Sequence, residues 1–420
     1  MAAEVSLREL LSDAGRRNPY PFYARLHELG EAVPLSRTER FAVAVCGYRA
    51  AGEVLRDANF RVLDADFLDR GRTSWRDHPV LRTLQSSLFN AGGPEHARVR
   101  KLFSQAVTAR RVAALEPAIT DLTEQRLARL AELGAAGEPV DFMAAFALPL
   151  PSDVVGELLG VPPADRGWLL PRVRAFDAVL EIGQRTLAEV TAADAAALEL
   201  AEYFGRLVAA RRAEPTDDLI SHLVLVHDEQ PDQLSEAELL ANLIVVFNAG
   251  FRTTANLFGN GLPVLLDHPD AVAALRADES LAPGYVEEIL RYEPPVHFAV
   301  RFADSDAEIA GVPIRAGQLV VVLTGAANRD PRRFADPDRF DPTRPDNQHL
   351  AFSAGPHYCL GAALGRVEGR IALPRLLARF PDLALAAEPG ARRALMLRGY
   401  DQLPVRLTAA ASPLAGSRLG

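Results

Sequence analysis

One cysteine constrains this chain more than any other residue. Cys359 stands in Phe352-Ser-Ala-Gly-Pro-His-Tyr-Cys-Leu-Gly361, a turn-rich stretch that runs straight into a helical pattern. A glycine-bearing loop ending at a helix start gathers backbone N–H groups around the sulfur, and the positive end of the helix favours a thiolate. A thiolate held this way can serve as an axial ligand that pushes electron density toward an iron. Gly355 lets the loop turn, and Gly361 lets the backbone lie against a flat ring. His357, two residues before the sulfur, is placed to donate to a carboxylate. The other cysteine, Cys46, has no C-x-x-C relation to it, which argues against a disulfide framework and against a zinc knuckle.

The rest of the chain is compatible with a large buried core: 420 residues, 49% hydrophobic, with a formal net charge of −9. The modest acidity speaks against a general nucleic-acid binder. No run reaches about 18 uninterrupted apolar residues, and the first thirty positions carry charges throughout, so neither a membrane span nor a signal peptide is expected and a cytoplasmic location is. Helical periodicity covers most of the first 290 residues. Pro94 to Ala106, Val112 to Leu133, Arg166 to Glu181 and Thr186 to Arg212 read as helices. Phe60 to Gly93 reads as a long irregular loop. Ser235, with Glu238 at the capping-box position, opens the longest apolar helix, to about Leu266. After Pro294 the texture changes to short strand-like pieces (Val300 to Phe302, Glu308 to Ile309, Leu319 to Leu323), then a Pro- and Asp-rich meander from Asp330 to Asp346. A last helix is expected from Cys359. The fold class expected is mainly α with a small β region, as one domain over residues 1–409 followed by a disordered tail, 410–420.

The cysteine loop resembles the haem loop of the cytochrome P-450 family, Phe-Gly-x-Gly-x-His-x-Cys-x-Gly. Every fixed position matches except one, where Ser353 replaces the first glycine. Three further motifs agree in order and spacing. Glu288-Ile-Leu-Arg291 is similar to the family's E-x-x-R, and Arg339 lies in a meander, Asp336 to Arg344, like the one that motif locks. His96 and Arg100, four apart on one helix face, resemble a haem-propionate clamp that Arg301 and His357 complete; paired Arg and His donors suit carboxylates. The resemblance implies the P-450 fold, with a long central helix over the haem and the cysteine loop below it. It implies haem b (iron protoporphyrin IX) as cofactor and Cys359 as its ligand. It also implies that His96, Arg100, Arg301 and His357, with Phe352, Gly355 and Gly361, hold the haem.

Ala249-Gly-Phe-Arg-Thr-Thr254, mid-way along the apolar helix, matches the family's oxygen-activating pattern, with one departure. Gly250 would leave a groove for dioxygen. Thr253 would bond backwards to the chain, and its hydroxyl, which both donates and accepts, suits proton delivery. Arg252 stands where the family usually has an acid, and arginine cannot relay a proton as a carboxylate does. Either Arg252 points away toward an acidic partner or solvent, or it faces the pocket and binds a substrate carboxylate. The second arrangement resembles a subgroup of fatty-acid peroxygenases, but that subgroup also replaces the threonine kept here as Thr253.

The pocket is expected between the Phe60–Gly93 loop, Phe176 to Glu181, Asn248 to Thr254 and Val296 to Val300. Its candidate lining is Phe67, Leu88, Phe89, Val246, Phe247, Ala249, Val296, Phe298 and Ala299. Val62 to Asp69 and Trp75 to Pro79 are similar to loops in actinobacterial enzymes that tailor macrolides and related polyketides. No flavin or dinucleotide motif is present. Electrons are therefore expected from a ferredoxin and its reductase, docking near Arg98, Lys101, Arg110, Arg111 and Arg366. The leading expectation is a monooxygenase acting on a bulky, mostly apolar secondary metabolite. Whether that substrate is free or tethered to a carrier protein stays open. The two rivals are a peroxide-driven enzyme acting on acids through Arg252, and a haem-binding or recruiting module without oxygen chemistry.

Overall fold

The computed structural model describes residues 5–36, 38–181, 185–392 and 394–407. The tail expected to be disordered, 410–420, lies outside the described residues. Helices form most of the structure, and five short strands make its principal sheet. The helices that position the site are α1 (Gly93–Ala106), α2 (Pro149–Leu159), α3 (Pro163–Asp177), α4 (Leu187–Ala213), α5 (Glu236–Leu266), α6 (Ala282–Tyr292) and α7 (Ala362–Arg379). The strands are β1 (Ala32–Pro34), β2 (Val43–Val45), β3 (Phe60–Arg61), β4 (Ala299–Ala303) and β5 (Leu319–Val322), in the spatial order β1-β2-β5-β4-β3. β2 and β5 run parallel, with Val43 opposite Val320; β4 is antiparallel to β5, with Arg301 opposite Val320.

α5 begins where the capping box places it. The Ser235 side chain accepts the Glu238 N–H while the Glu238 carboxylate takes the Ser235 N–H. The helix is apolar almost all round and lies inside the molecule, packed on α2, α4, α6 and α7. No single helix among the described residues is long and apolar enough to cross a membrane.

Three sequence expectations need correction. The stretch from Phe60 to Gly93 is not irregular: it holds helices Ala65–Arg70 and Pro79–Gln85, with a tight turn at Trp75–Asp77 between them. The helix expected over Val112 to Leu133 is two, Ala109–Ala114 and Glu116–Gly134, with Pro117 at the start of the second. The last helix starts at Ala362 rather than Cys359, so the cysteine belongs to the loop that precedes it.

Candidate active site

The cysteine loop is built on two left-handed residues. Gly355 has φ +68°, and a Cβ there would lie 2.5 Å from the Leu55 carbonyl oxygen, so both its conformation and its neighbours demand glycine. Ser353 has φ +63°. It occupies a glycine's conformation with a side chain, at a cost of about 1–2 kcal/mol, and its hydroxyl is buried without a hydrogen-bond partner. The Cys359 N–H closes the loop on the Phe352 carbonyl (2.9 Å). Cys359 is accessible on one side yet surrounded by protein on the others. That burial pushes the thiol's pKa up, against the pull of the Gly361 N–H, Arg100 and Arg366. Loop and helix start do not by themselves deliver a thiolate; coordination to a metal does so outright.

Around the loop four basic groups converge. The rings of His96 and His357 lie 4.1 Å apart, tilted by 34°. Burial, then His96, Arg301 and Arg100, holds the His357 pKa down at about 3. The His96 pKa is lowered by burial and by Arg100 and Arg301. Burial alone takes Arg301 down to about 10, and its guanidinium donates to the neighbouring Val300 carbonyl (2.8 Å). The Nε2 atom of His96 is buried with no protein partner. Among the described residues no carboxylate pairs with Arg100 or Arg301. Desolvated cations without counter-charges are costly, and the group such a cluster lacks is an anion. The two propionates of a haem fit it.

In the middle of α5, Ala249 is exposed while Val246, Gly250 and Thr253 are half-buried, together one face at helical spacing. Gly365, just beyond the cysteine loop, lies against Thr254, with its Cβ position 3.6 Å from Oγ1. Thr253 donates to the Ala249 carbonyl (2.9 Å), the backward bond expected of it. At Gly250 a Cβ would meet Val155 Cγ2 at 2.7 Å, so the missing side chain lets α2 approach α5. Arg252 is buried and its Nε donates to Asp177 (2.7 Å), whose other oxygen accepts from Asn248 (2.8 Å). Of the two arrangements expected for Arg252, this is the one in which it meets an acidic partner, Asp177, rather than standing free to bind a substrate carboxylate.

The expected pocket residues divide. Leu88, Val296 and Ala299 are half-buried and Phe89 is 38% exposed; Leu88 N–H bonds Asn242 on α5 (2.8 Å) and Val296 bridges Leu397. Phe247 is not pocket lining: it is fully buried against Phe204 and Phe251, on the α4 side of α5. Phe298 is also core, packed with Phe302 in the cluster beneath the sheet, and Phe67 lies on that same Phe302 ring at 4.7 Å. Of the expected basic patch, Arg98 is engaged by Glu238, Arg111 by Asp217 and Arg366 by Glu287, leaving Lys101 and Arg110 exposed.

The Glu288–Arg291 pair is fully buried, with bonds of 2.8 and 2.7 Å. Arg291 also donates to the carbonyls of Asn328 (3.0 Å), Pro337 (2.8 Å) and Arg339 (3.1 Å). Glu288 accepts from the Asp341 N–H (2.8 Å) and the Asn347 amide (3.0 Å). Arg339 therefore contributes its backbone; its side chain is exposed on Asp341. Arg344, whose Nε lies 3.6 Å from Glu288, is the arginine that faces inward, and with Asn347 it was not marked by the motif. Asp177 and Asn248 lie in segments expected to bound the pocket, but nothing in the sequence ties residue 177 to 252.

A helical protein with a cysteine loop under a long apolar helix and an anion-seeking cluster beside it has the make-up of a haem-thiolate protein. The family profile "Cytochrome P450" matches residues 174–384. The chain is 37% identical to 6-deoxyerythronolide B hydroxylase of Saccharopolyspora erythraea, covering 96% of this chain and 99% of that one. It is 39% identical to the cytochrome P450 monooxygenase PikC of Streptomyces venezuelae, over 93% and 91%. The crystal structure of P450BioI with an acyl-loaded acyl carrier protein superimposes with a TM-score of 0.85, at 33% identity, over 95% of this chain and all of the other. The chain belongs to the cytochrome P450 family; it is a P450 monooxygenase and its cofactor is haem.

Proposed function

We propose that this enzyme inserts one oxygen atom from dioxygen, by hydroxylation or epoxidation, into a bulky, mostly apolar secondary metabolite such as a macrolide or polyketide, with electrons from a ferredoxin and its reductase. The observation that carries the reading is the open face of α5: Val246, Ala249 and Thr253 offer apolar surface and one hydroxyl, and the nearby cation is already neutralised by Asp177. Such a surface suits a ligand held by shape and apolar contact rather than by charge. The bound haem supplies the oxygen-activating chemistry. In this reading Cys359 ligates its iron, His96, Arg100, Arg301 and His357 hold its propionates, and Phe352, Gly355 and Gly361 form its seat. Thr253 hands protons in from the α5 side. Val246, Ala249, Leu88, Phe89, Val296 and Ala299 border the substrate. Lys101 and Arg110 offer the free positive charge that an acidic ferredoxin would meet.

The two relatives named as a 6-deoxyerythronolide B hydroxylase and as PikC support a macrolide-like substrate. A peroxide-driven enzyme acting on acids would need Arg252 free in the pocket, and Asp177 holds it. An optical titration of the ferric enzyme tests the choice. Macrolide and polyketide lactones should displace the iron's water and shift the Soret band, and long-chain carboxylic acids should not. A shift with acids alone would overturn the proposal.

A further inference from the structure

Two cations pull on the Cys359 sulfur, Arg100 and Arg366, and the protein treats them differently. Among the described residues no carboxylate pairs with Arg100, which the proposed propionates would neutralise. Arg366, on α7, is neutralised by the protein itself. Its Nε and Nη2 donate to the two carboxylate oxygens of Glu287, at 2.7 and 3.0 Å, and its Nη1 donates to the Tyr358 hydroxyl at 3.1 Å. Parallel bonds of this kind fix the plane of a guanidinium as well as its charge. The guanidinium lies over the Phe352 ring, 4.5 Å from the centroid. Phe352 is the residue whose carbonyl takes the Cys359 N–H, and Tyr358 precedes the cysteine directly. Arg366 therefore touches the cysteine loop on both sides of its closing bond.

Glu287 is the neighbour of Glu288 on α6 but meets different partners. Glu288 is sealed against the meander, whereas Glu287 is half-buried against α7. His349 Nε2 lies 3.2 Å from Glu287 Oε2. His349 Nδ1 accepts the Ala351 N–H (3.2 Å), so Nε2 carries the ring proton toward the acid. Burial by itself would raise the Glu287 carboxyl, but His349 and Arg366 bring it down to about 2. It is a carboxylate at any pH the enzyme works in. Reduction of a haem-thiolate centre adds an electron beside the sulfur, and a nearby positive charge favours that electron. We infer that Glu287 is a positioning residue that sets the haem's reduction potential. It holds Arg366 beside the cysteine loop with the charge cancelled, and so keeps the iron harder to reduce than an unpaired guanidinium there would. The inference rests on the haem-thiolate reading above. It concerns the sulfur side of the haem alone and leaves substrate and proton delivery to the α5 side.

The test is an equilibrium potentiometric titration of the substrate-free holoenzyme with small-molecule redox mediators, which takes ferredoxin docking out of the readout. The carbon monoxide spectrum of each reduced protein checks that the thiolate still ligates. Glu287→Gln keeps the side chain's shape and leaves Arg366 charged. At the parent's midpoint potential its ratio of reduced to oxidised haem should rise by about threefold or more. Arg366→Gln leaves Glu287 charged, and the ratio should fall by a similar factor. The double variant Glu287→Gln/Arg366→Gln removes both charges and should return to within about twofold of the parent. Arg366→Lys, which keeps the charge and gives up the fork, should also stay within about twofold. Shifts of opposite sign are not produced by general loosening of the loop. A Glu287→Gln potential equal to the parent's would overturn the inference, and so would single variants that move in the same direction. Loss of the thiolate spectrum in Glu287→Gln would overturn it too, since the residue would then build the loop rather than tune its charge. A parent enzyme that gives no thiolate-type carbon monoxide spectrum would instead overturn the haem-thiolate reading itself.

Discussion

His357 carries the cost of standing beside three other basic groups. Its pKa lies at about 3 in the fold, against a model-peptide value of 6.5, because burial and then His96, Arg301 and Arg100 oppose its charge. Between those two values the unfolded chain binds the proton and the folded chain does not. Stability therefore rises with pH in that window and is lost as pH falls through it, by less than about 1.4 kcal/mol per pH unit. Denaturant unfolding of the haem-free protein should show this slope, His357→Gln should flatten it, and haem loading should narrow the window as the propionates favour the charged ring. Ser353 permits a second measurement. Ser353→Gly removes about 1–2 kcal/mol of left-handed strain, less the roughly 0.5–1 kcal/mol that glycine's freedom costs through the unfolded chain. A net stabilisation between zero and about 1.5 kcal/mol is expected in thermal or denaturant unfolding. The sequence displayed this serine as a lone departure from a motif; its positive φ was not visible there, because strain is a property of the closed loop.

Elements were legible where they were long and periodic. α5 was delimited by its own capping box, and the E-x-x-R helix by its motif. The helices at Ala65–Arg70 and Pro79–Gln85 were missed because six and seven residues give too few turns for an apolar stripe to repeat. The start of α7 was misplaced because Cys359, Leu360 and Gly361 continue an apolar pattern without being helical. α6 offers the element-scale prediction. Glu288→Ala leaves the Arg291 guanidinium buried without its carboxylate and frees the Asp341 N–H and the Asn347 amide. Removing one partner of such a pair costs about 3–5 kcal/mol. Haem incorporation and the unfolding midpoint should both collapse, whereas the exposed Arg339→Ala should leave both nearly unchanged.

Across the whole molecule, the proposed haem site would be drawn from distant stretches of chain: His96 and Arg100 on α1, Arg301 on β4 and His357 with Cys359 before α7. His96, Arg100, His357 and Cys359 sit in local patterns that the sequence displays, whereas Arg301 was named only through the resemblance. The direction of Arg252 was not legible, because neighbouring helical positions differ by about 100° and its partner lies 75 positions away. A ligand that binds only the folded state stabilises it by mass action. Adding haemin to haem-free protein should therefore raise the calorimetric melting temperature, and haemin dimethyl ester, with its propionates blocked, should restore only part of the gain. Equal gains from both would mean that the four basic groups do not hold the propionates. The way Arg291 holds the meander has one more consequence. It grips the carbonyls of residues 328, 337 and 339, and a carbonyl is the same whatever side chain it bears. At positions 337 and 339 the side chain is therefore free to drift through descent while the length of the stretch is not: losing one residue displaces every later carbonyl by about 3.8 Å, beyond the reach of a guanidinium that cannot follow.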